Sequence, residues 1–199
     1  MKLNAGLSQK MIPRLELAGA GLVAGFISSL AISALLLLAE RVADLPVGTF
    51  YLVLASALLQ SQGHGVNTIA IGLLMHLAAG CILGLAISAP FSAVPRWFKS
   101  AAKYAPAYGL VAGFVLWLAL FIPITYWVML PLLNSVEDRV ISQQVPTGEV
   151  SEIATGDLLA IMDRLILGSL AFNMFFGLLV VILFRSISEA YMRNKKLVL

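Results

Sequence analysis

Asn67–Ser88 reads NTIAIGLLMHLAAGCILGLAIS, and these 22 residues contain no Asp, Glu, Lys, Arg or Pro. A helix of that length and chemistry crosses the hydrocarbon layer of a bilayer, where every backbone group must be bonded within the helix itself. His76 lies within two positions of the middle of the run, so insertion carries an imidazole close to the bilayer midplane. Gly80 and Gly84 follow at intervals of one turn along the same face. A polar ring and two missing side chains on one face describe a helix pressed against another helix.

The whole chain has the composition this stretch implies. Of 199 residues, 60% are apolar and 12% charged, with a mean hydropathy of +0.96. Soluble domains carry roughly twice that share of charge. Spanning uses most of the length, which leaves little for a separate soluble catalytic domain. Cys81 is the single cysteine and falls at membrane depth, so a disulfide framework and a Cys-based zinc site are both excluded.

Taken in order, the chain predicts four spans, at about 15–39, 67–88, 106–122 and 165–184. The first is too long for a signal-peptide core, lacks a cleavage site after it, and is expected to be retained. Its Gly21, Gly25 and Ser28 lie close to one face, a second small-residue seam. Residues 45–60 are apolar but too short to cross, and are expected as an interfacial or re-entrant helix opened by Asp44 and Pro46. Pro123 is expected to kink or end the third span, with Tyr126 and Trp127 in an aromatic belt. Residues 134–163 form a long acidic loop.

Charge sets the expected orientation. Ten of the thirteen Lys and Arg fall in the N-terminal segment, the loop at 89–105 and the C-terminal tail; the two opposite segments hold eight of the ten acids. Basic loops stay inside, so both termini are expected on the cytoplasmic side of a prokaryotic plasma membrane. The same rule accounts for the high pI without invoking nucleic acid.

GLVAGF occurs twice, at 21–26 and at 109–114, near the start of two spans of equal orientation. In the partner spans His76-x3-Gly80 can be aligned on Asn173-x3-Gly177, and Gly72 on Ser169. The expected fold is therefore all-α, an integral membrane protein of four transmembrane helices in two duplicated hairpins with a short outer helix between the first two spans.

The pattern resembles an uncharacterised family of small four-helix prokaryotic membrane proteins. The likeness rests on AGAGLVAGF, the short apolar segment after it, His76-x3-Gly80-x3-Gly84, Gly109-x3-Gly113 with Trp117, and a polar residue followed by glycine in the last span. Asn173 stands where that pattern leads one to expect a second histidine. The resemblance implies a fold and no activity.

Candidate chemistry is sparse. His76 could ligate a metal or haem, relay protons or touch a substrate; the plainer reading is a neutral ring bonded to a neighbouring helix, with Asn173 as the candidate partner. His64 is 12 residues from His76, too far along a helix to share an ion with it, and Cys81 points away from His76. His64 with Asp44, Glu137, Asp138, Glu149, Glu152 and Asp157 could gather a divalent cation at the outer face, although the orientation rule alone makes that rim acidic. Gly21, Gly25, Gly80, Gly84, Gly109 and Gly113 form three GxxxG pairs that argue for close packing without a wide pore, either within the bundle or against another protein. No nucleotide loop, catalytic triad or paired carboxylates appear, and no cofactor is expected.

The leading expectation is a non-catalytic accessory subunit of a larger membrane assembly, of the respiratory or copper-oxygenase kind, whose partners are lipid and other membrane subunits. The alternatives are a small oligomeric transporter or channel with His76 and Asn173 lining the path, and a haem or metal carrier using His76.

Overall fold

A computed structural model describes residues 14–59, 66–93, 95–131 and 162–197. All regular structure among them is helical: α1 (Arg14–Val42), α2 (Thr49–Leu59), α3 (Val66–Ala93), α4 (Pro95–Leu116) and α5 (Met162–Leu197). Four helical stretches, Glu16–Val42, Asn67–Phe91, Tyr104–Met129 and Asp163–Tyr191, are long and apolar enough to cross a membrane. The chain is thus a small four-span membrane protein. The 134–163 loop, apart from its last two residues, and His64 lie outside the described residues.

The helix ends follow local chemistry. Glu16 lies in the first turn of α1 and Arg41 in its last, each complementing the helix dipole. Past Val42 the chain reverses through Asp44 (φ 56°) and Gly48 (φ 93°), both in the left-handed region. Asp tolerates that conformation and Gly favours it. The turn delays α2 to Thr49, several residues beyond the Asp44–Pro46 start expected from sequence. Pro95 opens α4, where its missing N–H costs nothing.

Pro123 does not end the third span. Beyond Leu116 the helix continues through two π-helical segments, Trp117–Phe121 and Thr125–Met129, joined by one α turn at Ile122–Ile124. The Ile122 N–H donates to the Trp117 carbonyl and the Leu130 N–H to the Thr125 carbonyl, each a span of five residues. A proline has no N–H and its ring crowds the carbonyl four residues back. Widened turns on both sides let the helix pass the ring without breaking.

Lipid tails solvate leucine as well as another helix does, so association rests on close packing of small residues. α1 is the hub. One face, built around Leu17, Ala20, Ala24 and Ile32, packs into a core with Phe176, Val180, Val181 and Phe184 of α5. The face one position on, through Gly21 and Gly25, meets α3. α4 packs against α5, which gives the side-by-side order α3, α1, α5, α4. α3 and α4 also touch near their connection, where the Tyr108 hydroxyl donates to the Ile87 carbonyl (3.2 Å) and its ring meets Phe91 at 4.8 Å. At the opposite end of the bundle Leu45 and Val53 pack with Met129, Leu130, Leu165 and Ile166, so α2 and the turn before it touch both hairpins.

Candidate functional site

The seam between α1 and α3 is made of two matched rows at four-residue spacing: Gly21, Gly25, Ser29 and Ser33 on α1, and Gly72, His76, Gly80, Gly84 and Ser88 on α3. Any Cβ at Gly25 would collide with the Gly80 carbonyl and stand 2.9 Å from the Gly84 Cα. At Gly84 it would stand 2.5 Å from both the Gly21 carbonyl oxygen and the Gly25 Cα. The row is closed at each end by a hydroxyl against a glycine, Ser88 against Gly21 and Ser29 against Gly80. Ser29, not Ser28, continues the seam. Ser28 stands one turn from Ala24, on the other buried stripe of α1.

The seam between α4 and α5 is built the same way. A Cβ at Gly177 would meet the Gly109 carbonyl and stand 2.7 Å from the Gly113 nitrogen; one at Gly113 would meet the Asn173 carbonyl. Gly84 against Gly21 and Gly25 therefore corresponds to Gly177 against Gly109 and Gly113. This packing register places Gly80 on Asn173 and His76 on Ser169, one turn away from the alignment read in the sequence. All three GxxxG pairs are used inside the chain.

His76 and Asn173 are not brought together as a pair. The Asn173 side-chain amide donates to the Ser169 carbonyl of its own helix (2.8 Å). The polar contact across that seam comes from Trp117, whose indole N–H is shared between the Ser169 hydroxyl (3.0 Å) and the Ile166 carbonyl (3.2 Å). Polar contacts between membrane helices contribute about 0.6–2 kcal/mol. Trp117→Phe is expected to lower the stability of the solubilised protein by about 1 kcal/mol, read as a modest fall in melting temperature. A larger loss would mean that the ring's packing, not its N–H, holds the seam.

His76 faces α1 and α2 instead. Its ring meets those of Phe50 at 6.0 Å and Tyr51 at 5.8 Å, both edge-on, and the Ser29 main chain lies beside it. Tyr51 is 1% exposed, its main chain seated on Gly72, one turn from His76. The Ser33 side chain lies beside the Tyr51 hydroxyl. These neighbours act on one another electrostatically, yet Ser29 Oγ, Ser33 Oγ, Tyr51 Oη and His76 Nε2 are all buried without a hydrogen bond of good geometry. An unsatisfied buried polar group costs about 1–3 kcal/mol, so four around one place form an uncommon arrangement.

Glu40 fixes α2 over this place. It is 6% exposed, and its two carboxylate oxygens accept the Gly48 N–H (2.6 Å) and the Phe50 N–H (2.7 Å). These are donors that a helix start leaves free, and a charged acceptor binds them more strongly than a neutral one. The Thr49 hydroxyl adds a bond to the Pro46 carbonyl (2.6 Å). In the sequence Glu40 stands out only as the charged residue directly after the first span. The signal that could have revealed its role was an acid directly before a turn containing glycine and threonine.

Among the described residues no group of three or more His, Cys, Asp or Glu is placed to hold a metal ion. Cys81 is a partly buried free thiol. No known family model, curated protein or solved structure matches the chain.

Proposed function

We propose that this protein is a non-catalytic accessory subunit of a larger membrane assembly. The observation that carries the reading is how the chain distributes its surfaces. The small-residue seams are spent in building the chain's own bundle, which leaves it self-contained. The third span, Tyr104–Met129, is the one least covered by the rest of the chain, with 11% of its apolar window buried against 33% for the first. It presents Val111, Phe114, Val115, Leu118, Tyr126 and Trp127 outward, a long apolar flank with aromatic groups toward one end. Such a flank suits docking against other subunits.

A photo-crosslinking side chain at Val111, used in native membranes, tests this. Adducts with a different polypeptide are expected. Adducts only with lipid would overturn the reading, and adducts only with a second copy would favour the oligomeric transporter.

In this reading both termini face the cytoplasm of a prokaryotic cell, on the strength of the basic residues at 89–105 and in the two end segments. Single cysteines introduced near residues 5 and 198 in a Cys81→Ser background are expected to resist a membrane-impermeant thiol reagent in intact cells and to react after lysis. Labelling of either one in intact cells would refute the orientation.

The two hairpins are further read as copies of one unit. Support comes from the shared GLVAGF and from the matched registers of the two seams. In that register Ser29 faces the His76 turn as Trp117 faces the Ser169 turn. A ring and a small hydroxyl meet at the same level in both hairpins, with the ring carried on opposite helices.

A further inference from the structure

Ser29 and Ser33 from α1, Tyr51 from α2 and His76 from α3 are buried neighbours where the three helices meet. Ser29 and Ser33 are one turn apart on the same stripe of α1. Ser29 sits against Gly80, one turn from His76, and Ser33 lies beside the Tyr51 hydroxyl. The Tyr51 and His76 rings are 5.8 Å apart. Ser29, Ser33 and Tyr51 are 1%, 5% and 1% exposed, and none of these hydroxyls, nor His76 Nε2, has a hydrogen bond of good geometry within the chain.

Charge and room define what such a place can hold. Among the described residues Glu40 is the carboxylate that acts on Tyr51, and both its oxygens are engaged by main-chain N–H groups. An ion would therefore stand at membrane depth with no carboxylate oxygen free to ligate it, which is unfavourable. Hydroxyls both donate and accept, and a neutral imidazole nitrogen does one or the other, so the set suits a neutral guest that also does both. Space is short on either side of His76, since Gly72 is covered by the Tyr51 main chain and Gly80 by Ser29. A guest the size of water satisfies roughly two to four such partners at once.

We propose that Ser29, Ser33, Tyr51 and His76 form a binding site for a single neutral hydrogen-bonding molecule the size of water, which ties α1, α2 and α3 together within the membrane. The site is independent of the accessory-subunit reading and can stand if that reading fails.

The test is infrared difference spectroscopy of the full chain in lipid nanodiscs, wild type minus variant, with water itself as the probe. Ser33→Ala and Tyr51→Phe should each remove or displace an O–H stretching band of a confined water, recognised by its shift in heavy-oxygen water. Tyr126→Phe, at an exposed tyrosine, should leave that band in place. If neither variant changes any band that responds to heavy-oxygen water, the proposal is overturned. Should Tyr51→Phe fail to fold, Ser33→Ala decides alone, because it removes one hydroxyl and no packing ring.

Discussion

Gly84→Leu is expected to separate α1 from α3 and to be strongly destabilising. The first atom of the new side chain would already lie 2.5 Å from the Gly21 carbonyl oxygen and from the Gly25 Cα, and 2.8 Å from the Gly25 nitrogen. All three are backbone, so no rotamer change makes room, and the helices must part along the row. Inserted methylenes in a packed core cost about 1–3 kcal/mol when neighbours can shift. A collision with backbone belongs at or above the top of that range. Separation would also forfeit the van der Waals contacts that hold membrane helices together in place of a hydrophobic driving force. The measurement is thermal unfolding of the solubilised protein. Gly19→Leu and Gly168→Leu are the controls, because a Cβ at either position meets nothing within 4 Å. Those two should unfold close to the wild type. Equal loss in all three variants would mean that glycine content, not the contact between rows, sustains the bundle.

Glu40→Ala should release α2 while leaving the four spans folded. It strands the Gly48 and Phe50 N–H groups, now bonded to the carboxylate at 2.6 and 2.7 Å. Hydrogen bonds to charged groups contribute about 1.5–3 kcal/mol each, so the combined loss is on the order of 3 kcal/mol. α2 has eleven residues, too few to be helical alone in water, and depends on its docking. Glu40→Gln should fare little better. Its amide oxygen can accept one N–H, but its NH2 is then turned toward the other donor. Amide hydrogen exchange resolves the effect: residues 49–59 should lose protection in both variants, while the middle of α1 and of α5 keeps theirs. If α2 stays protected in Glu40→Ala, its packing on Gly72 suffices and the cap is dispensable.

Both outcomes depend on contacts that the sequence marks unequally. The glycines of 21–25, 80–84 and 109–113 stand out in the chain because GxxxG spacing in an apolar run signals close approach. Their partners do not stand out. Ser28 and Ser29 are adjacent and chemically identical, and only the crossing of α1 over α3 decides that Ser29 meets Gly80. The packing of the two seams matches one turn away from the alignment of His76 with Asn173, for a related reason. Glycine recurs every four residues on α3, so a shift of one turn still places glycine on glycine, and the packing of Gly84 and Gly177 was needed to set the register. Tyr51 lay in a segment too short to span and gave no sign that it would stand beside His76.

Sequence alone determined that four stretches of this polypeptide take lipid as their solvent. In a bilayer each backbone group must be bonded within its own segment, so length and composition suffice to set a helix without reference to anything distant. Tertiary structure decided everything that requires two helices at once: which small residues face each other, that Glu40 caps a helix beyond its own, and that three hydroxyls and an imidazole share one buried place. Such contacts arise from the relative rotation and depth of separate helices, which packing sets and local sequence does not encode.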